Sequence, residues 1–225
     1  MTTLILARHG RTAANAAGIL AGRSGGVGID EAGIQQARKA ANRLLGESVV
    51  RVVSSPMQRC LETAEIICPA PVAEVEPGLD ECDYGDWTGS TLAQLTKENL
   101  WRTVQVQPSL AHFPNGESIP QMAGRAVQAV RRINAEVAAL HGDDAVWLAV
   151  THGDVIKAIL NDALGAHLDA FQRIVVNPAS LSVIRYTAER PYVLAMNTNA
   201  GPLPLRKQDA GSPHQTDQAA VGGGI

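Results

Sequence analysis

The sequence predicts an α/β fold: a single domain on a mostly parallel sheet, with helices on both faces and an antiparallel edge. Three observations predict it. Short apolar, β-branched runs alternate with segments whose apolar residues recur at helical spacing. Three of those runs pass through a tight turn straight into a helical segment, the pattern of strand–helix crossovers. Two further runs near the C-terminal end lie only a few residues apart, close enough for a hairpin and too close for a crossover.

The elements follow in order. Residues 3–7 read as a buried strand ending at a glycine turn. Between Asp30 and Leu45, the positions Ile34, Ala37, Ala41, Leu44 and Leu45 make a helical stripe that stops at Gly46. Val49–Ser54 is a β-branched run, after which Ser55-Pro56 supplies an N-cap and a proline at the first helical position, opening a helix to about Cys68. Residues 72–75 read as a short strand ending at Pro77-Gly78. From Asp80 to Gly116 the pattern loosens, with one short helix near residues 91–99. Ser118 is the expected N-cap of a long helix with Val127, Val130, Ile133, Val137 and Leu140 on one face. Residues 145–150 are a further buried strand, and Gly153-Asp154 opens a helix carrying Val155, Ile156, Ile159 and Leu160. Leu181–Tyr186 and residues 192–197 form the antiparallel edge. From Gly201 the composition turns to Gly, Pro, Ser, Gln and Asp, so residues 1–200 are read as the domain and 201–225 as a disordered tail.

A chain of 225 residues suffices for one substantial core, and 45% apolar with 18% charged residues is ordinary for a globular protein. The net charge of −3 gives no bulk basic surface for nucleic acid. No apolar run approaches the ~18 residues that span a bilayer. The apolar segment at residues 4–7 is too short for a secretory core, so a cytoplasmic location is expected. Cys60, Cys68 and Cys82 form no C-x-x-C pair and are expected to be reduced, Cys60 and Cys68 packing on a helix. His112, His141, His167 and His214 lack metal-ligand spacing. Ser54 and Ser55 lie in no G-x-S-x-G elbow, and the lack of a Gly-Lys pair excludes a Walker A loop.

The chemistry gathers at three strand ends. Residues 4–7 run into Arg8-His9-Gly10, Val49–Ser54 into a helix bearing Arg59 in its first turn, and residues 146–150 into Thr151-His152-Gly153. In a parallel sheet those ends share one edge, where ligands bind. Helix N-termini there add N–H donors and a favourable dipole, so the pocket suits a dianion such as phosphate. His9 is then a nucleophile toward phosphorus, with Arg8 and Arg59 neutralising the equatorial oxygens. The leaving alkoxide needs a proton, and Asp80, Glu81, Asp83 and Asp86 offer four carboxylates in one loop. Arg11 and Arg23 could also reach the substrate, with Thr12 and Gly22 as further contacts of the site.

In sequence order, Arg8-His9-Gly10-Arg11-Thr12 with Asn15, Ser54-Ser55-Pro56 with Arg59 and Thr63-Ala64, Leu79-Asp80-Glu81 running into residues 84–89, and Thr151-His152-Gly153 resemble the motifs of the histidine phosphatase superfamily, the group that includes cofactor-dependent phosphoglycerate mutase. The resemblance spans about residues 2 to 198. It implies a phosphoglycerate mutase-like fold, phosphorylation of His9, and Glu81 as the proton donor that later activates water. It further implies phosphoryl binding by Arg8, Asn15, Arg59 and His152, with no metal, and no cofactor is expected.

Mutases of that family carry extra basic residues after the catalytic glutamate, whereas Cys82 and Asp83 follow Glu81 here. Ala21 stands where the mutases place a hydroxyl. Hydrolysis of a phosphomonoester, a small metabolite, is therefore expected. A phosphomutase and a non-catalytic phosphate or phosphopeptide binder are the alternatives. The segment from about 91 to 118, with Trp101, Phe113 and Pro114, is expected to cap the pocket and set selectivity. Neither nucleic acid nor membrane is an expected partner, and a homodimer stays open.

Overall fold

The computed structural model describes residues 1–201, 203 and 205. The chain runs β1 (Thr2–Arg8), α1 (Ala13–Ala16), α2 (Glu31–Asn42), β2 (Val49–Ser54), α3 (Gln58–Ile67) and β3 (Glu74–Val75). It continues with α4 (Leu92–Leu95), α5 (Asn99–Val106), α6 (Ile119–His141), β4 (Ala145–Thr151), α7 (Gly153–Ala163), β5 (Leu181–Tyr186) and β6 (Pro191–Thr198). The six strands form one sheet in the order β3-β2-β4-β1-β5-β6. β3, β2, β4 and β1 pair in parallel; β5 runs antiparallel to β1 and to β6.

Alternation along the central strands divides the core. Leu4, Leu6, Trp147 and Ala149 pack with Ile133 and Val137 of α6 and with Val155, Ile156 and Ile159 of α7. Ile5, Ala7, Leu148 and Val150 pack on the other face with Ala37 and Ala40 of α2 and with Cys60, Ala64 and Ile67 of α3. Covered on both sides, β1 and β4 read as continuous apolar runs. Leu4, Ile5 and Leu6 are wholly buried, and each such side chain stabilises the fold by about 1.5–3 kcal/mol. Trp147 satisfies its indole N–H on Asn134 Oδ1 at 3.2 Å, so its burial strands no polar group.

α6 begins as expected, with Ser118 and Gln121 closing a capping box and a proline in the first turn. Elsewhere the structure corrects the expectation. The helix after β2 starts at Gln58 with Met57 as its N-cap. Ser55 lies ahead of that start: its N–H prolongs the sheet by donating to the Val150 carbonyl, and its hydroxyl, bonded to His152 at 2.8 Å, takes only the Met57 N–H at 3.3 Å. α2 ends at Asn42, so Leu44 turns into the core while Leu45 is left exposed. Leu140, in the last turn of α6, is also exposed. Only Glu74 and Val75 of the segment 72–75 pair with β2, at the sheet edge, and Val72 faces solvent. The single helix expected near 91–99 is two, because Thr91 caps one and Glu98 opens a second. All three cysteines are free, Cys60 lying on α3 and Cys68 at its C-terminal cap. The tail read from residue 201 onward lies outside the described residues except at 201, 203 and 205. No helix among the described residues is long and apolar enough to cross a membrane.

Candidate active site

Three neighbouring strands, β2, β4 and β1, deliver the site at their carboxyl ends. β1 ends in Arg8, and the His9 N–H continues its ladder by donating to the Thr151 carbonyl at 3.0 Å. The Gly10 N–H donates to Thr63 Oγ1 of α3 at 3.0 Å. A side chain at position 10 would begin 2.7 Å from the Gly33 carbonyl oxygen, so glycine is required for α2 to pack this close. His152 follows β4 and is wholly buried, its ring 5.3 Å from that of His9 between centroids. Arg59, on the first turn of α3, is 2% exposed; its Nη2 donates to the Gly22 carbonyl at 2.8 Å and to His152 Nδ1 at 3.2 Å.

These partners fix the protons. The Gly10 carbonyl, 2.7 Å from His9 Nδ1, can only accept, so Nδ1 carries the hydrogen of the neutral ring. Burial, then Arg8 and Arg59, lower His9 from 6.5 to about 3, which keeps the ring neutral at pH 7 and leaves a lone pair on Nε2. Arg59 can only donate to His152 Nδ1, so His152 carries its hydrogen on Nε2 and donates to Ser55 Oγ at 2.8 Å. Burial, then His9 and Arg59, hold His152 well below the ordinary imidazole range. Arg8 packs beside Gly153 and donates from Nη1 to the Val176 carbonyl at 2.6 Å. Its Nε is buried without a hydrogen-bond partner among the described residues.

Glu81 reaches the same place from the loop after Leu79, which Thr151 Oγ1 ties to β4 by donating to the Leu79 carbonyl at 2.6 Å. Its Oε2 is 3.5 Å from His152 Nδ1, and its Oε1 accepts from the Cys82 N–H at 3.0 Å. Burial, then the Asp154 carboxylate, raise Glu81 from 4.5 to about 7 against the pull of Arg59. The other carboxylates are engaged by other groups, Asp80 at the edge of the site, where its Oδ1 also accepts from Ser55 Oγ at 3.4 Å. Asp83 accepts from the Gly85 N–H, Asp86 from Asn115, and Asp80 from the Glu81 N–H.

The structure therefore brings Arg8, His9, Arg59, Glu81 and His152 together, with Gly22 contributing a carbonyl. Three expected contacts are engaged otherwise. Arg11 is exposed and paired with Asp30 at 2.8 Å. Thr12 caps α1, and Asn15 closes that cap by accepting the Thr12 N–H on Oδ1 at 3.1 Å. Phe113, expected over the pocket, is buried against Tyr84 and Trp87, and Trp101 stacks on Trp87. Two participants escaped the sequence reading. Ser55 carries a motif and a helix-cap expectation in the sequence but no role at the site, where its hydroxyl meets His152. Asp154, next to Thr151-His152-Gly153, accepts from Tyr84 Oη at 2.9 Å and from Lys157 at 3.1 Å; its place beside the last motif was the available signal.

Comparison with known proteins places these residues in a family setting. The family profile described as the histidine phosphatase superfamily (branch 1) matches residues 4–199. A protein named probable phosphoglycerate mutase GpmB, from Yersinia pestis, is 31% identical over 197 residues, 86% of this chain and 88% of its own. The structure of YhfR from Bacillus stearothermophilus matches at a TM-score of 0.79 and 27% identity, covering 88% of this chain and 97% of that one. A mycobacterial glucosyl-3-phosphoglycerate phosphatase matches at a TM-score of 0.76 and 25% identity, covering 87% and 98%.

Proposed function

The chain belongs to the histidine phosphatase superfamily, and from that premise we propose that it hydrolyses a small phosphomonoester through a phosphohistidine on His9. The observation that carries this reading is that His9, its Nδ1 on the Gly10 carbonyl and its Nε2 free, shares one buried pocket with the Glu81 carboxyl, burial holding the first neutral and raising the second. At neutral pH the first is a free nucleophile and the second can both give and take a proton.

In the first step His9 Nε2 forms a bond to phosphorus as the ester P–O bond breaks, and Glu81 transfers its proton to the departing alkoxide. In the second, water attacks the phosphohistidine while the Glu81 carboxylate takes its proton. The P–N bond breaks, and phosphate leaves with His9 neutral again. Arg8 and Arg59 hold the equatorial oxygens, and the unpartnered Arg8 Nε supports that role, since a buried donor needs an acceptor. A bound dianion would oppose the burial and the neighbouring positive charge that keep His152 neutral, making it a further donor. Asn15 spends its Oδ1 on the Thr12 N–H, which leaves its Nδ2 as the donor for a phosphoryl oxygen.

The name of the Yersinia pestis relative favours a second reading, transfer to a second hydroxyl. Against it stand Asp154, next to His152 and Gly153 in the site, and the Cys82-Asp83 pair after Glu81. The Asp154 charge opposes a second phosphate, and Cys82-Asp83 supply no basic group to hold one. A phosphate-release screen over a panel of phosphorylated metabolites, with phosphoglycerate isomerisation followed in parallel, tests both readings. Release faster than isomerisation is expected. The reverse order would establish the mutase, and no turnover of any ester would leave a phosphate-binding module.

A further inference from the structure

Glu81 sits between two single 3-10 turns, Pro77–Leu79 and Gly85–Trp87, with no strand or long helix to hold it. The position of its carboxyl therefore depends on what grips its backbone, and the grip is made of charged groups from distant segments. Arg125, on α6, donates from Nη1 to the carbonyls of Gly78 at 2.9 Å and Asp80 at 2.8 Å, and from Nη2 to the carbonyl of Glu81 at 2.9 Å. Arg23 donates from Nε to that same Glu81 carbonyl at 2.8 Å. Glu117 joins the two arginines, accepting from Arg125 at 2.6 Å and from Arg23 at 3.0 Å on Oε1, which also takes the Asp83 N–H at 2.9 Å. Burial alone would lift the Glu117 carboxyl; hydrogen bonds from Arg125 and the Asp83 N–H keep it below its ordinary value, so the cluster stays charged. Arg23 also directly follows Gly22, whose carbonyl receives Arg59. One cluster thus ties the proton donor's backbone to the loop that holds a phosphate-binding arginine.

We propose that Arg125, Glu117 and Arg23 form a backbone clamp that sets the Glu81 carboxyl at the ester oxygen, making them positioning residues for both proton transfers and not ligands of the phosphoryl group. This rests on the reading of Glu81 as acid and base. An alkyl phosphate needs a proton on its leaving group, whereas 2,4-dinitrophenyl phosphate does not, so a misplaced acid slows phosphoenzyme formation only from the first.

The test compares Arg125→Met, Arg23→Met and Glu81→Gln with the parent on both substrates, alongside inhibition by inorganic phosphate. Arg125→Met should lose about 10- to 100-fold in kcat on the alkyl ester. Its burst of dinitrophenol should remain near the parent's, phosphoenzyme should accumulate because its hydrolysis also needs Glu81, and the inhibition constant for phosphate should hold. Arg23→Met, at a side chain 35% exposed, should show the same pattern more weakly, and it decides the matter if Arg125→Met does not fold. Equal losses in the rate of phosphoenzyme formation from the two substrates, or phosphate binding weakened in step with turnover, would reduce the cluster to a merely structural role and overturn the proposal. If Glu81→Gln itself shows no leaving-group dependence, the acid assignment falls and the clamp with it. Leaving-group dependence in Glu81→Gln, without it in either arginine variant, overturns the clamp alone.

Discussion

Replacing Glu81 by glutamine keeps the shape of the side chain and removes its proton, and the structure sets the size of the effect. Raising the carboxyl from 4.5 to about 7 corresponds to roughly 3 kcal/mol in favour of the protonated form. At pH 7 about half the molecules then carry the proton, against about one in 300 for an ordinary carboxyl. The assay is kcat/KM for an alkyl phosphomonoester between pH 5 and 9, which reports the free enzyme up to phosphorylation and so reads only the acid role. The ester's own second ionisation, near about pH 6, shapes the rising side and leaves the falling side to the enzyme. Above about pH 7 the parent should lose about tenfold per pH unit. Glu81→Gln should be about 10²- to 10⁴-fold slower, with that fall abolished. A falling limb that survives in Glu81→Gln, or one that begins near 4.5 in the parent, refutes the assignment.

The same carboxyl links folding to pH, because the native protein keeps a proton that the unfolded chain releases above 4.5. Its stabilising contribution is complete below 4.5 and lost as pH rises through about 7, so the parent's Tm should fall relative to Glu81→Gln across that window by thermal denaturation. Asp154→Asn removes the carboxylate that, after burial, does most to raise Glu81, and should move the falling limb of kcat/KM to lower pH; an unmoved limb would exclude that coupling. His9→Asn should cut hydrolysis by at least about 10³-fold and yield no acid-labile phosphoenzyme on rapid quenching. Gly10→Ala drives a methyl group against the Gly33 carbonyl and should cost about 1–3 kcal/mol by denaturant unfolding.

What the sequence made legible was whatever depends on local pattern. His9, Arg59 and His152 could be placed together because strand runs and helix starts locate them, and a parallel sheet brings its carboxyl ends to one edge. Glu81 could not be chosen among four carboxylates by pattern. The choice needed a family resemblance, and only tertiary contacts show Asp83 bonded to Gly85 and Asp86 to Asn115. Ser55 looked like a cap because serine before proline usually is one; its hydroxyl instead serves a histidine 97 residues away in sequence. Asp154 and the Arg23–Glu117–Arg125 cluster escaped for the same reason, since no spacing rule joins side chains contributed by four separate segments. Leu45 and Leu140 fit their helical stripes, yet Leu45 follows the end of α2 and Leu140 lies in the last turn of α6, and both are exposed.

His9 and His152 each follow directly on one of a pair of hydrogen-bonded parallel strands, with Arg8 opposite Thr151 in the register. Adjacent strands lie about 4.8 Å apart, and the two imidazole centroids are 5.3 Å apart. The gap between them is in effect ruled off by the backbone ladder, a dimension that side-chain exchange elsewhere can hardly alter. The segment from 91 to 118 belongs to no strand of the sheet and packs through Trp87, Trp101 and Phe113. Exchanging its exposed positions should therefore leave the spacing of the two imidazoles unchanged.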